Sequence, residues 1–328
     1  MILCFSSLFI LGCGDGKTSN KDINNKEEKK ESISNNDKFK IGALKGPTGI
    51  GMAKLMEDSK EKYEFSLYDS PDQVVSKIVN GELDGAAVPS NLASILYNKT
   101  KGKIQVAAIN TLGILYVVEN GNSIKSIKDL KGKTIYSSGK GATPEFVLNY
   151  ILKENGLEPN KDVFIEYKMQ HSDLAAAVAS KKVDIALLPE PFITSVKMKD
   201  KDLKVSLNLT EEWNKVAKDG KLVMGVMIFN KDVIEKNKEG IDKFLDEYKS
   251  SVDYVNQNPK EASTIVEKQG IVPKAKLAEM AIPKCNIVMV RGKELKNYLD
   301  GFLKVLFQSS PKSVGGKLPD ENFYYEAN

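Results

Sequence analysis

One short motif, Lys-Gly-x-Thr, occurs twice in this chain, at residues 45–48 and again at 140–143, so the two copies start 95 residues apart. Glycine lets the backbone come close to a ligand, a helix that begins here offers unpaired N–H groups, and threonine adds a hydroxyl. Each copy alone is equally compatible with an ordinary turn and helix cap. Two such helix starts around one point favour an anionic or strongly dipolar ligand.

Polar residues that follow two short apolar runs are the next candidates for a ligand site. Ser90 and Asn91 offer a hydroxyl and an amide, and Glu190, inside Pro-Glu-Pro, offers a carboxylate. Glu190 suits an amine, an amidine or a protonated heterocycle if it faces the ligand, and otherwise caps a helix or supports a hinge. Tyr116 either stacks on a ring or packs on its strand. The residues predicted to contact the ligand are Lys45, Gly46, Pro47, Thr48, Gly49, Ser90, Asn91, Tyr116, Ser138, Gly139, Lys140, Gly141, Thr143 and Glu190.

Chemistry beyond binding has little support in the sequence. His171 is the only histidine, and its place at a predicted helix start favours capping or exposure to solvent. Neither a Gly-x-Ser-x-Gly nucleophile motif nor a group of metal ligands at suitable spacing occurs. Cys285 is expected to be buried and inert. We therefore expect no catalytic residues, no metal and no cofactor, and a protein that is not an enzyme.

The two motifs belong to a longer internal repeat. Residues 68–91 resemble residues 167–191 in the positions of their apolar residues and in an aspartate that precedes an apolar run ending in proline. Each copy is typical of a strand, a glycine-rich turn, a helix, a strand, a helix and a further strand. Chance similarity between two βαβ units is the alternative. Two such units facing each other predict an α/β protein with a ligand cleft between corresponding loops.

Two β-rich runs, residues 114–118 and 222–229, bracket the second unit. We predict that they are strands which cross between two lobes. Lobe one then consists of residues 38–118 plus 224–328, and lobe two of residues 119–223. Two antiparallel connections resist twisting but allow bending, as a hinge between closing lobes requires.

The front of the chain has the pattern of an exported lipoprotein. Residues 1–12 form an apolar run too short to span a bilayer and are the predicted signal peptide, which ends before Cys13, the predicted lipidation site. A signal peptide without lipidation is the alternative. Residues 13–37 are polar and predicted to form a disordered tether. The net charge of +4 over 328 residues, without a basic stripe, gives no indication of nucleic-acid binding.

A family resemblance rests on these features together with two segments, SIKDLKGKTI at residues 126–135 and DIALLPEPF at residues 184–192. They resemble bacterial ABC-transporter substrate-binding proteins of the nitrate/sulfonate/taurine type, which are related to the thiamine-pyrimidine-precursor binders. The resemblance implies a two-lobed periplasmic-binding-protein-like type II fold. It also implies capture of a small organic anion or zwitterion (a sulfonate, a carboxylate or a pyrimidine precursor) between closing lobes and its delivery to a permease with an ATPase.

The same resemblance implies a monomer held by its lipid at the extracytoplasmic face of the cell membrane, most simply in a Gram-positive cell. Two other functions stay open: an enzyme of the same fold acting on a small heterocycle, and a surface sensor or adhesin. The cysteine-rich iron motif and the active-site histidine of the related pyrimidine-synthesising enzymes are absent from this sequence, which argues against their chemistry.

Overall fold

The computed structural model describes residues 38–167, 170–218 and 220–326. The predicted signal peptide (1–12), the predicted lipidation site Cys13 and the predicted tether (13–37) lie outside the described residues. No helix in the described part of the chain has the length and apolar character needed to cross a membrane.

Six strands form the larger of two sheets. In spatial order these strands are β2 (Tyr63–Tyr68), β1 (Phe39–Leu44), β3 (Gly85–Pro89), β10 (Val223–Asn230), β4 (Ile104–Leu112) and β11 (Ile287–Val290). Strand β1 pairs in parallel with β2 and β3, and the register places Ile41 opposite both Phe65 and Gly85. Strand β10 instead runs antiparallel to β3 and β4, its two neighbours.

Five strands form the smaller sheet. In spatial order these strands are β7 (Phe164–Glu166), β6 (Thr134–Tyr136), β8 (Ile185–Pro189), β5 (Leu115–Glu119) and β9 (Lys204–Asn208). Strand β6 pairs in parallel with β7 and β8, whereas β5 runs antiparallel to β8 and β9. Strand β5 follows β4 after only two residues, so the chain passes from the larger sheet to the smaller one at this point.

The two sheets repeat one plan, as the internal sequence repeat predicts. The order β2-β1-β3 in the larger sheet corresponds to β7-β6-β8 in the smaller one. In each sheet the fourth strand is antiparallel, and the strand before it in the chain belongs to the other sheet. Strand β10 of the larger sheet comes after β9 of the smaller one, and β5 of the smaller sheet comes after β4 of the larger one. The predicted fold class, a two-lobed α/β protein with two crossing strands, is therefore confirmed. The residue limits given above for the two lobes stay a prediction.

Helices connect and cover these strands. In chain order they are α1 (Pro47–Asp58), α2 (Pro71–Val79), α3 (Ser90–Lys99), α4 (Thr143–Glu154), α5 (His171–Ala179), α6 (Phe192–Lys199), α7 (Leu209–Val216), α8 (Lys231–Lys236), α9 (Lys238–Gln257), α10 (Pro259–Lys268), α11 (Ala275–Ala281) and α12 (Gly292–Ser309). The apolar spacing predicts one helix over residues 232–256, but the structure has two there. The break occurs at Asn237, whose side chain accepts a hydrogen bond from the N–H of Gly240 and so caps α9.

The larger sheet buries both of its faces. Along β10, Val226 and Ile228 belong to one hydrophobic cluster, and Met227 and Phe229 belong to another. Successive residues of a strand point to opposite faces, so each face has its own core beneath its own helices. The continuous apolar run at residues 222–229 indicates such a doubly covered strand, which is why its position could be predicted well.

A single tryptophan marks the junction of the two lobes. Trp213 on α7 is fully buried, and its ring centroid lies 5.3 Å from that of Phe302 on α12. Its indole N–H donates a hydrogen bond to the carbonyl of Gly220, at 3.3 Å. Gly220 has φ +82°, and a Cβ there would lie 2.4 Å from the backbone nitrogen of Phe302. Glycine is therefore required where the chain returns to the larger sheet.

The C-terminal segment is fastened to α3 and β4. The Ser94 hydroxyl donates to the carbonyl of Val314 at 2.8 Å, and the phenol of Tyr97 donates to Asp320 at 2.6 Å. The N–H of Tyr325 donates to the carbonyl of Val106 at 2.9 Å. The described residues after α12 form only two short 3-10 helices, Pro311–Val314 and Glu321–Phe323, and these bonds to α3 and β4 hold them in place.

Candidate functional site

A cavity of about 710 Å³ lies where the two lobes meet, a size typical of small-molecule sites. Residues that follow the parallel strands of both sheets form its walls. They include Lys45 after β1, Asp69 after β2, Gly139 after β6, His171 after β7 and Glu190 after β8. In α/β proteins, ligands bind outside the carboxyl ends of the parallel strands, and here both sheets direct those ends at one cavity.

Six helices also begin at this cavity. The first residue of each helix or the residue before it lines the wall, namely Gly46, Ser70, Pro89, Ala142, His171 and Pro191 for α1 to α6 in that order. The residues that precede α1, α4 and α5 make no side-chain capping hydrogen bond. Helix N termini carry partial positive charge and unpaired N–H groups, so together they suit an anionic or acceptor group.

The structure brings half of the predicted site residues to the cavity wall. Those that line it are Lys45, Gly46, Pro47, Thr48, Gly139, Thr143 and Glu190. The predicted residues that do not line it are Gly49, Ser90, Asn91, Tyr116, Ser138, Lys140 and Gly141. Contact of any of these residues with a ligand stays a prediction.

The hydroxyl groups predicted to hold an anion already have protein partners. Thr48 donates to the carbonyl of Leu44 at 3.0 Å, and Thr143 donates to the side-chain oxygen of Asn91 at 3.1 Å. A hydroxyl has one hydrogen, so neither group can donate to an anion in this conformation. The anion-binding capacity of these two loops therefore lies in their backbone N–H groups.

Ser90 and Asn91 connect the two lobes. Both residues are fully buried at the start of α3. The Asn91 amide donates to the carbonyl of Gly141 at 3.2 Å and accepts from Thr143, while the Ser90 hydroxyl lies 3.3 Å from the Thr143 hydroxyl. Ser90 also donates to the carbonyl of Val223 at 2.5 Å. This polar cluster joins the loop before α4 to the end of β3 next to the cavity.

We expect Thr143→Val to weaken the contact between the lobes. The change leaves the buried oxygen of Asn91 without its donor, which costs about 1–3 kcal/mol. Urea unfolding should show this loss, and small-angle scattering should show a larger radius of gyration. Thr48→Val is the matched control, because its hydroxyl bonds only the carbonyl of Leu44 within its own lobe. An equal radius for both variants would contradict a role of Thr143 in closure.

Glu190 both caps a helix and lines the cavity. Its carboxylate accepts the backbone N–H of Thr194, at 3.1 Å, in the first turn of α6, and the side chain is only 3% exposed. Burial raises the pKa of the Glu190 carboxyl above its usual value, while the bond from Thr194 and the charges of Lys284 and Lys197 act in the opposite direction. The two alternatives that the sequence left open, capping and facing the ligand, are thus compatible.

The remaining charge on the cavity wall is partly neutralised. The ammonium group of Lys45 lies 2.9 Å from the carboxylate of Asp69, and both side chains are well exposed. Lys199 and Asp173 also line the wall. The sequence predicts that Lys45 contacts the ligand, whereas in the structure its ammonium group already pairs with Asp69.

Sequence reasoning missed several apolar and aromatic residues of the wall. One side consists of residues 271–273 together with Leu277 of α11, where the pattern predicts only an ordinary helix start. Phe192 lies two residues after Glu190 in the Pro-Glu-Pro-Phe segment, so this closeness in sequence was the available signal. His171, expected to cap a helix or to face solvent, lines the cavity and packs against Phe192.

Comparison with known proteins gives relatives of this architecture. A protein of Brucella abortus (strain 2308), named as a candidate binding protein, is 27% identical over 182 residues, which are 56% of this chain and 54% of that protein. The chain thus spans about half the length of the curated relatives it matches.

Solved structures extend the likeness to most of the chain. The structure of an ABC transporter from Parabacteroides distasonis is 27% identical, with a TM-score of 0.74 over 89% of this chain and 99% of that chain. The periplasmic aliphatic sulphonate binding protein SsuA from Escherichia coli is 16% identical, with a TM-score of 0.68 over 88% of this chain and 92% of its own, and shows likeness of fold alone. A sequence profile of the family described as NMT1/THI5 like matches residues 78–262, more than half of this chain of 328 residues. The chain therefore belongs to the NMT1/THI5-like family.

Proposed function

We propose that this chain is the extracytoplasmic solute-binding component of an ABC importer. It captures a small organic solute between its two lobes and delivers it to a permease that is driven by an ATPase. The observation that carries this proposal is the cavity of about 710 Å³ walled by corresponding loops of both lobes. Each lobe offers half a site, so binding energy is gained fully only when the lobes close. The similarity to the Parabacteroides distasonis ABC transporter structure supports the same assignment.

The cavity favours a zwitterion or a neutral dipolar ring over a plain anion. The helix N termini suit an anionic or acceptor group at one end of the solute. Glu190, buried on the same wall, suits a hydrogen-bond donor or a cation at the other end. A plain sulfonate offers no donor to this carboxyl, whose recorded partner is the N–H of Thr194, so it lacks a contact that an amine-containing solute gains. Among the classes that the sequence left open, amino-sulfonates and amino-substituted pyrimidines have both groups.

Membrane attachment completes the proposal. Lipidation at Cys13 would hold the protein at the outer face of the membrane, and residues 13–37 would act as a tether between the lipid and the two lobes. Attachment keeps a binding protein close to its permease in a cell without an outer membrane. Lobe limits at 38–118 plus 224–328 and at 119–223 belong to the same proposal.

A screen with three probes tests the function. Taurine, ethanesulfonate and 4-aminopyrimidine are each added to the purified protein while thermal unfolding and the fluorescence of the only tryptophan, Trp213, are followed. At a hundredfold excess over the dissociation constant, a solute stabilises the folded state by about 2.7 kcal/mol. We expect stabilisation by at least one amine-containing probe, a change in Trp213 fluorescence on closure, and no product. Steady turnover of a stabilising probe would establish the enzyme alternative instead.

A further inference from the structure

His171 has a position that its sequence context does not indicate. It is the only histidine of the chain and the first residue of α5, and its half-buried side chain lines the cavity. No prediction from the sequence assigned it a role in binding, and the proposed function above does not use it.

The imidazole ring is fixed from two sides. Its centroid lies 5.3 Å from the centroid of Phe192, with an angle of 30° between the rings. Its Nδ1 atom is hydrogen-bonded to the hydroxyl of Ser138, which is only 2% exposed. The three residues come from three elements, the loop before α4, the start of α5 and the start of α6. A ring held by stacking and by one hydrogen bond is preorganised, so little entropy is lost when it binds.

The partner of Ser138 determines which ring nitrogen carries the proton. Within the described residues, the structure records no acceptor for the Ser138 hydroxyl other than Nδ1 of His171. A buried hydroxyl that cannot donate costs free energy, so Ser138 donates to Nδ1 and the proton of the neutral ring lies on Nε2. No protein partner of Nε2 is recorded in the same part of the chain. The open hydrogen-bonding atom of this residue at the cavity is therefore a donor.

The ring is uncharged at neutral pH. Burial lowers the pKa of His171 to about 4. Asp173, Glu190 and Lys199 are charged or titratable groups that line the same cavity. An uncharged donor makes a directional bond to a carbonyl, ring-nitrogen or sulfonate oxygen acceptor without adding a full charge to the cavity.

We propose that the Nε2–H group of His171 is a fixed hydrogen-bond donor to the bound solute, so that this residue selects solutes with an acceptor next to the Phe192 wall. The inference rests on the proposed function, because it assigns a contact within the same cavity. It assigns His171 as a residue that determines specificity. It assigns Ser138 as a positioning residue, which acts through the ring of His171.

Nuclear magnetic resonance can follow this residue alone, because the chain has one histidine. In the free protein, the nitrogen shifts should show the Nε2–H tautomer at pH 7, and the ring should titrate near pH 4. Ser138→Ala should let the second tautomer appear, a change that a merely structural serine would not cause. Addition of taurine, ethanesulfonate or 4-aminopyrimidine, whichever stabilises the protein, should shift the Nε2 signal.

Two substitutions of His171 separate its donor from its ring. His171→Phe keeps a ring next to Phe192 but removes the donor, and should weaken binding of the stabilising probe about three- to tenfold. His171→Gln places an amide N–H near the former Nε2 atom and should retain more of the affinity. Calorimetry measures both, and thermal unfolding of the free variants reports whether they fold.

The outcomes distinguish this inference from the proposed function. If a probe stabilises the protein while the His171 signals and the affinity of His171→Phe stay unchanged, the inference is wrong and the proposed function stands. If none of the three probes stabilises the protein, the proposed solute class is wrong. In that case the nitrogen shifts of His171 in the free protein still test the inference. An Nδ1–H tautomer or a charged ring at pH 7 would overturn it, and an uncharged Nε2–H ring would support it.

Discussion

Replacing Trp213 with alanine should lower the midpoint of thermal unfolding by about 6–20 °C. Trp213 is fully buried between Tyr150 and Phe302, whose ring centroids lie 5.1 and 5.3 Å from its own. Truncation of such a side chain costs about 3–5 kcal/mol, because the surrounding residues cannot refill the space. Each kcal/mol lowers the midpoint by about 2–4 °C in domains of about 150–250 residues. Far-UV circular dichroism measures the effect without relying on tryptophan fluorescence.

Two variants make this prediction specific to the junction of the lobes. Phe164→Ala removes an aromatic ring that is 49% exposed on β7, and should change stability by no more than about 0.5 kcal/mol. Trp213→Phe keeps part of the packing against Phe302, so its unfolding midpoint should lie between those of Trp213→Ala and Phe164→Ala. Equal midpoints for Trp213→Ala and Phe164→Ala would show that this contact does not hold the lobes together.

The topology could be predicted because it depends on local patterns that occur twice. The strand predicted at residues 222–229 appears as Val223–Asn230, and the run at 114–118 as Leu115–Glu119. Continuous apolar runs flanked by glycine and polar residues leave few alternatives to a buried strand. The segment around Trp213 was harder, since β9 and α7 follow each other without an intervening turn signal. Packing of α7 against α4 and α12 and pairing of β9 with β5 decide their structure.

The candidate site was harder to predict than the fold, for a physical reason. The sequence shows which residues follow a strand, and those loops do reach the cavity. It does not show which hydroxyls are already bonded across the lobes, so Ser90 and Asn91 were predicted as ligand contacts although they bond the loop around Thr143. The place of His171 depends equally on long-range packing, because Ser138 and Phe192 belong to other elements.

Replacing Glu190 with glutamine should weaken binding of taurine about ten- to hundredfold. A hydrogen bond to a charged group contributes about 1.5–3 kcal/mol, and the amide cannot supply the negative charge that an ammonium group requires. Ethanesulfonate is the matched control probe, because it has the sulfonate of taurine and lacks the amine. Its affinity should be the same for both proteins within about a factor of three. Calorimetry with each probe gives the ratio of the dissociation constants of Glu190→Gln and the wild-type protein.

The pH dependence of the same variant has a defined sign. Burial raises the pKa of Glu190 in the folded chain above its usual 4.5. At a pH between 4.5 and this raised pKa, the folded chain therefore holds a proton that the unfolded chain has released. Stability of the free protein from this group therefore falls as the pH rises through that window. His171 contributes the opposite slope, because its pKa of about 4 lies below the usual 6.5 and stability is lost as the pH falls between them. His171 is present in both proteins, so the difference between wild type and Glu190→Gln isolates the carboxyl.

Taurine binding should follow the ionised form of this carboxyl. As the pH rises through the folded pKa of Glu190, the affinity of the wild-type protein for taurine should increase, while its affinity for ethanesulfonate should not. Glu190→Gln should bind taurine with the same low affinity across that range. If taurine affinity keeps its pH dependence in the variant, the ammonium group lies elsewhere, and Glu190 acts only through its hydrogen bond to Thr194 at the start of α6. The bond to Thr194 is present in the free protein. If Glu190→Gln weakens only this bond, the variant should be less stable than the wild type and should have the same solute selectivity.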